Sequence, residues 1–154
     1  MRLSVATVLD APSDLVWRHV RTSALLDYVA APLLRFRPDE PDRYGGEWTP
    51  GEHRVRMLAF GLLPVGWQVV GIEYPPCRPG QHLIRDNGRG ALIRRWDHLI
   101  SVTGRDDGRT DYRDDVEIEA GALTPLVAGY AAIFYRHRQR RWRRLVANGF
   151  DYSN

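Results

Sequence analysis

Short stretches in which apolar and polar residues alternate cover much of the chain and predict an antiparallel β-sheet. The first stretch, residues 3–9, has the two-residue period of a strand with one buried face. Further strand-like stretches, separated by turns that contain proline or glycine, are residues 33–36, 47–49, 52–60, 65–74 and 81–86. We expect a turn at Asn87-Gly88 to end this series.

Helical patterns occur in three places. Two short helices are predicted after the first strand: one follows Pro12, and the other begins near Ser23 and ends close to Pro32. One long helix is predicted from Thr124, its N-cap, to Gly149, which suits a helix end. The residues expected along its buried face are Leu123, Val127, Tyr130, Phe134, His137, Arg141 and Leu145.

The clearest hairpin joins residues 94–102 to residues 110–118 across the turn at 104–108. A symmetric turn predicts that His98 lies opposite Asp114 and that Ile100 lies opposite Tyr112. One face of the hairpin is then largely apolar and aromatic, while the other favours water. The residues predicted on the inward face are Arg94, Trp96, His98, Ile100, Val102, Tyr112, Asp114, Val116 and Ile118.

Length and composition are those of an ordinary globular protein. The 154 residues predict one domain, residues 1–154, with room for a core and a modest cavity. Cys77 is the only cysteine, which excludes an intramolecular disulfide and favours a reducing, cytoplasmic setting. The N-terminus lacks the apolar core of a signal peptide, and no apolar stretch reaches the roughly 20 residues of a membrane span.

The net charge of +3 hides a concentration of positive charge near the C-terminus. A solvated basic face at the end of a helix is favoured, and contact with an anionic membrane surface is the second interpretation. We expect no nucleic-acid partner, because the sequence contains no motif for one. The clustered arginines are Arg136, Arg138, Arg140, Arg141, Arg143 and Arg144.

The predicted order of one strand, two short helices, six strands and a long C-terminal helix resembles the START-like, or SRPBCC, superfamily. This superfamily, also called Bet v 1-like, includes polyketide cyclases and dehydrases. The segments that carry the resemblance are residues 10–17, 63–67, 96–98, 112–116, 121–124 and 135–139. The resemblance implies an α+β helix-grip fold, in which a curved antiparallel sheet wraps around the long helix. It also implies a hydrophobic ligand held between the two, but no catalytic residue.

His98 and Asp114 form the sharpest candidate for chemistry. A carboxylate beside the imidazole could orient it and raise its pKa, and the pair could act as a general base. Tyr112 or Tyr130 would then donate a hydrogen bond to the developing oxyanion. The alternative is a buried pair that only stabilises the hairpin, and buried polar pairs commonly have that role.

The predicted cavity lining combines aromatic, apolar and polar residues of the sheet and the long helix. Core packing is the alternative role for the aromatic ones. We expect neither a metal ion nor a cofactor, because His53 and His82 show no metal-ligand spacing with His98. The predicted ligand-binding residues are Met57, Trp67, Trp96, His98, Ile100, Tyr112, Tyr130, Phe134 and His137.

Two functions therefore follow from the sequence and the resemblance. The first is binding or transport of a small hydrophobic molecule. The alternative is a polyketide cyclase or dehydratase that uses His98, Asp114 and a tyrosine hydroxyl. The sequence leaves open the identity of the ligand, the presence of catalysis and the oligomeric state.

Overall fold

The order of the secondary-structure elements confirms the predicted α+β helix-grip fold. A computed structural model of the chain describes residues 1–41, 44–91 and 93–153. A short 3₁₀ turn, Gly121–Leu123, precedes the last helix. The elements are β1 (Arg2–Leu9), α1 (Ser13–Val20), α2 (Ser23–Ala30), β2 (Leu34–Pro38), β3 (Gly51–Ala59), β4 (Leu63–Glu73), β5 (Gln81–Gly90), β6 (Arg95–Gly104), β7 (Thr110–Glu119) and α3 (Thr124–Ala147).

The strands form one seven-stranded antiparallel sheet in the order β1-β7-β6-β5-β4-β3-β2. Strand β1 lies at one edge beside β7, so the first strand of the chain pairs with the last. The predicted strand at residues 47–49 is wrong, since Glu47 makes only an isolated bridge with Thr22. Among the described residues, no helix has the length and apolarity needed to cross a membrane.

The predicted turn at Asn87-Gly88 is also wrong, because β5 continues through both residues to Gly90. A Cβ atom on Gly88 would lie 2.5 Å from the carbonyl oxygen of Val69, and one on Gly71 would lie 2.7 Å from that of Asn87. The two glycines therefore allow β4 and β5 to approach closely. An Asn-Gly pair is typical of turns, and the pattern alone does not separate this use of glycine from a turn.

Strands β6 and β7 pair two residues away from the predicted register. His98 lies opposite Val116, and Ile100 lies opposite Asp114, because Gly104 pairs directly with Thr110 and leaves a shorter loop. A shift of two residues keeps every side chain on its predicted face. The inward residues from 96 to 118 accordingly stay together, whereas Arg94 precedes β6 and is exposed.

The long helix α3 turns a different face to the sheet than the apolar pattern predicts. Phe134 and Leu145 are buried as expected, but Leu123 is exposed and Tyr130 is 43% exposed. The discrepancy arises because small and polar residues occupy much of the interface. The buried residues of α3 are Ala128, Ala131, Phe134, Tyr135, Arg138, Gln139, Trp142 and Leu145.

The sequence predicts the C-terminal end of α3 correctly, but it does not predict the N-cap. Thr124 lies within the first turn and does not cap it; its hydroxyl donates to the carbonyl oxygen of Gly121 and accepts from the N–H of Ala120. At the other end, Gly149 adopts a φ of +67° and the N–H of Phe150 bonds to the carbonyl oxygen of Leu145. The predicted glycine stop is confirmed.

Trp142 tests the observed orientation of α3. Its side chain is buried against Tyr112 and Phe150. We expect Trp142→Ala to lower the free energy of unfolding by about 3–5 kcal/mol, the usual cost of emptying a large aromatic site. Ile133→Ala on the exposed face is the control, with an expected loss of no more than about 0.5 kcal/mol. Equal losses in chemical denaturation would contradict this orientation.

Candidate functional site

A cavity of about 330 Å³ lies between the inner face of the sheet and α3. Most of the described residues that line it are apolar or aromatic, and they come from α2, strands β2 to β6, Ile93 just before β6, and α3. Its volume falls within the range of small-molecule sites. The polar side chains in its lining are Gln68, Asp86, His98, Tyr130, Tyr135 and Arg138.

The two ends of the cavity differ in polarity. Val65, Leu126 and Tyr130 line it and are also exposed, so the opening lies between the start of β4 and the first half of α3. Leu126 is 73% exposed, which makes the rim of the opening apolar. His98 and Arg138 line the cavity and are buried. The cavity is therefore apolar at its opening and polar at its inner end.

The carboxylate of Asp114, on β7, lies behind this inner end and is fully buried. Its Oδ1 accepts a hydrogen bond from Nε2 of His98 at 2.8 Å and from the hydroxyl of Tyr112 at 3.1 Å. Its Oδ2 accepts from Nε2 of Gln139 at 3.0 Å, and the guanidinium of Arg138 lies 3.9 Å from Oδ1. Strands β6 and β7 and helix α3 thus meet at one carboxylate.

The protonation states of this pair follow from its surroundings. Burial would raise the pKa of Asp114, but the hydrogen bond from His98 and the charge of Arg138 outweigh it and hold the pKa below its ordinary value. Burial lowers the pKa of His98, although Asp114 opposes this. The stable state is an ionised Asp114 and a neutral His98 with its proton on Nε2.

This geometry sets two of the predicted catalytic residues apart from the cavity. Asp114 and Tyr112 do not line the cavity, and Asp114 accepts hydrogen bonds from both Tyr112 and His98. Asp114 orients the ring of His98 through their hydrogen bond, and Tyr112 contacts the same carboxylate. His98 lines the cavity and packs edge-on against Tyr135, with ring centroids 4.8 Å apart, while Tyr130 lies at the opening.

Arg138 is a site residue that sequence reasoning placed in the solvated basic cluster. It is only 7% exposed and packs over the rings of Tyr135 and Phe134, at 5.2 and 5.9 Å from the ring centroids. Its Nε is buried without a hydrogen-bond partner among the described residues. The spacing of residues 135, 138 and 142, which share one face of the helix, could have indicated that Arg138 is buried. A run of arginines is more typical of a solvent-exposed face, and this favoured the wrong assignment.

Asp86 is the second missed residue, and it lies directly opposite His98 in the pairing of β5 with β6. Its Oδ1 accepts a hydrogen bond from the N–H of Gly71 at 2.8 Å. Burial raises the pKa of Asp86 to about 7, even though the Gly71 hydrogen bond and the charge of Arg138 oppose the shift. A carboxyl group that titrates near neutrality therefore borders an apolar cavity.

Asp86, His98 and Arg138 also border a second cavity of about 60 Å³, on the side of α1 and α2. We call these three residues the polar wall, because they stand between the larger and the smaller cavity. Trp48 and Ile100 line the smaller cavity. The predicted contact of Ile100 with the main cavity is corrected accordingly.

The other predicted lining residues divide into two groups. Met57, Trp96 and Phe134 line the main cavity together with His98 and Tyr130. Trp67 lies under the guanidinium of Arg54, on the outer face of the sheet, and His137 binds the carbonyl oxygen of Ala31. Neither Trp67 nor His137 lines the cavity. In a regular strand, every second residue faces inward, so the inward residues can be assigned from the sequence. The bulge in β4 near Gly66 interrupts this alternation, so the assignment fails there.

His53 and His82 have partners away from the polar wall. His53 bonds to the carbonyl oxygen of Thr49 at 2.8 Å, and His82 stacks on Trp17 with its Nε2 3.6 Å from Asp14. Neither ring meets His98. His53 therefore contacts the segment before β3, and His82 contacts α1.

The arginine cluster divides into buried and exposed members. Arg138 belongs to the polar wall, and Arg141 donates from Nε to the carbonyl oxygen of Tyr28 while packing over its ring. These two therefore do not belong to the predicted solvated basic face. Exposed positions are Arg136, Arg140, Arg143 and Arg144, and a solvated basic face stays the prediction for them.

Comparisons with known proteins agree with this fold. The profile of a family described as Domain of unknown function (DUF8410) matches residues 7–146. No curated protein sequence matches the chain significantly. A protein from Arthrobacter aurescens has a similar structure, with a TM-score of 0.70 and 13% identity over 96% of this chain and 86% of that one.

Two further solved structures are similar to the chain at low identity. A START superfamily protein from Mycobacterium smegmatis has a TM-score of 0.58 and 15% identity, over 96% of this chain and 97% of that one. The Zhui aromatase/cyclase from Streptomyces sp. R1128 has a TM-score of 0.58 and 15% identity, over 97% and 93%. These similarities establish a START-like fold.

His98→Ala tests the structural part of the Asp114 site. The substitution removes one hydrogen-bond donor from a buried, ionised carboxylate, so we expect the free energy of unfolding to fall by about 1–3 kcal/mol. His82→Ala, at a partly exposed ring, is the control and should cost less. Chemical denaturation at neutral pH measures both. No loss in the His98 variant would mean that Asp114 does not need this donor.

Asp86→Asn tests the raised pKa of Asp86. The pKa of Asp86 in the folded protein lies above its ordinary value of 3.8. Between pH 3.8 and about pH 7, Asp86 is therefore protonated in the folded protein but ionised in the unfolded chain. This contribution to stability is therefore present at low pH and is lost as pH rises, by up to about 1.4 kcal/mol per pH unit. We expect the variant to lack this decline, measured as unfolding free energy from pH 4 to 8. Asp106→Asn, at an exposed turn residue, controls for the removed charge. A decline as steep in Asp86→Asn as in the parent would contradict the assignment.

Proposed function

The chain belongs to the DUF8410 domain family, and we propose that it binds a small, mainly apolar molecule in the cavity between its sheet and α3. The observation that supports this is a cavity of about 330 Å³ with an apolar opening and a largely apolar lining. A chain that needed only stability would fill such a space, because close packing is the normal condition of a protein interior. Apolar burial supplies affinity for a ligand there, and the few polar groups supply orientation.

The shape of the lining favours a flat or elongated ligand. Trp96 and Tyr135 stack with ring centroids 6.1 Å apart, and Tyr130 stacks on Phe134 at the same distance. Aromatic faces of this kind suit an aromatic or polyketide-like body, as well as an acyl chain. Binding or transport of such a molecule is the leading proposal.

The alternative function is a cyclase or dehydratase reaction on a polyketide-like substrate. What favours it is the neutral state of His98, whose pKa is lowered by burial and whose ring borders the cavity. A neutral imidazole can accept a proton, and Asp114 would stabilise the resulting imidazolium as a positioning residue. Tyr130, at the opening, is the tyrosine that lines the cavity among the predicted catalytic candidates.

Ala59→Phe tests whether the cavity is the binding site. Ala59 lines the cavity at the end of β3, so a phenyl ring there takes up space that a ligand needs. With N-phenylnaphthylamine as an uncharged fluorescent probe, we expect the affinity to fall at least about tenfold, equivalent to roughly 1.4 kcal/mol. Ala147→Phe, at the exposed end of α3, is the control and should bind the probe as the parent does.

Native mass spectrometry of the purified protein gives a second measurement of the same proposal. A co-purified apolar compound should be present in the parent and in Ala147→Phe, and should be depleted in Ala59→Phe. Probe binding that is unchanged in Ala59→Phe would contradict binding in this cavity. Turnover of a polyketide-like substrate that His98→Ala removes would establish the alternative.

A further inference from the structure

Arg138 is bonded less completely than a buried guanidinium normally is. Its Nε is buried without a partner among the described residues, and the nearest Asp114 oxygen lies 3.9 Å away, beyond hydrogen-bond distance. Asp114 already accepts hydrogen bonds from His98, Tyr112 and Gln139. The carboxylate therefore balances the charge of Arg138 without accepting a hydrogen bond from it, and the Tyr112 hydroxyl takes up only part of the hydrogen-bonding capacity of the guanidinium.

The side chain of Arg138 is held in place even though its donors are underused. The aromatic rings of Tyr135 and Phe134 pack against the guanidinium, and the Cα of Arg138 lies on the anchored part of α3 between buried residues. Desolvating a cationic group is costly unless it is paired and hydrogen-bonded. A fixed, desolvated guanidinium that borders a cavity is suited to binding an oxygen anion there.

We propose that the ligand of this cavity is an amphiphile whose single anionic oxygen group, a carboxylate or sulfonate, binds Arg138 at the polar wall. This inference rests on the proposed function and adds the chemical class of the ligand. The apolar body of the ligand occupies the space toward Tyr130 and Leu126, and its anionic group lies at the inner end. Charge-assisted hydrogen bonds then give the cavity a preferred orientation for its ligand.

Asp86 makes this binding depend on pH. The groups around it are Arg138 and Tyr135 on α3, His98 and Asp97 on β6, and the N–H of Gly71 on β4. A protonated Asp86 can donate a hydrogen bond to an anionic ligand, whereas an ionised Asp86 repels it. Since the pKa of Asp86 lies near 7, affinity for an anion should fall as pH rises through neutrality.

A pair of probes with the same apolar body separates this inference from the proposed function. Anilinonaphthalene sulfonate carries an anionic group, and N-phenylnaphthylamine lacks it. At pH 6 we expect the sulfonate to bind about tenfold more tightly or better, as a charge-assisted bond predicts. Between pH 6 and 8, the ratio of the two affinities should fall by up to about tenfold per pH unit, while the affinity of N-phenylnaphthylamine stays constant.

Substitutions then assign the preference to the polar wall. Arg138→Gln should remove the preference for the sulfonate and Arg138→Lys should reduce it, because lysine keeps the charge without the planar fork. Asp86→Asn should keep the preference and lose its pH dependence. Binding of N-phenylnaphthylamine to each variant reports whether its cavity is intact, so a variant that fails to fold is recognised.

The exposed arginines are the competing site for a sulfonate. Arg140→Gln and Arg144→Gln, both exposed on α3, should leave the preference unchanged. Equal affinities of the parent for the two probes, or a preference that Arg140→Gln removes and Arg138→Gln keeps, would overturn the inference while leaving the apolar site in place. If neither probe binds the parent, the proposed function itself is wrong.

Discussion

The buried carboxylate of Asp114 is the interaction on which the arrangement of the molecule depends. It accepts hydrogen bonds from His98 on the neighbouring strand, from Tyr112 on its own strand and from Gln139 on α3. Gln139 also donates to the carbonyl oxygen of Val5, which adds β1 to the same site. An ionised group without water must have such partners, so α3 can pack on the sheet only with Gln139 and Arg138 facing inward.

This constraint explains which parts of the fold could be predicted from the sequence. The strands, the two short helices and the long helix follow from local patterns, and the glycine at the end of α3 is a local signal as well. The rotation of α3 about its own axis, however, is not determined by local sequence patterns. Its apolar residues include Leu126 and Ile133, which stay exposed, while Gln139 is buried because Asp114 needs it. A polar residue that is buried because it bonds to a residue of another element does not appear in the apolar pattern of its own helix.

The candidate site was predictable to the same extent and for the same reason. His98 and Asp114 share a face under any register shifted by an even number of residues, so their contact survives the error of two residues. Asp86 and Arg138 were missed because an aspartate next to Asn87-Gly88 resembles a turn residue, and an arginine among arginines resembles a surface residue. Only the pairing of β5 with β6 and the rotation of α3 bring the two together with His98.

The polar wall separates two regions of the protein that differ in how closely their side chains are packed. On one side, Trp142 and Leu145 pack with α1, α2 and the adjoining strands in a closed core. On the other side, the first half of α3 covers an open cavity with residues such as Leu126 and Tyr130, which are partly exposed and lose little packing if they change. Substitutions at these exposed residues of the opening should therefore cost little folding stability. The architecture thus separates the residues that shape the opening from the residues that hold the fold together.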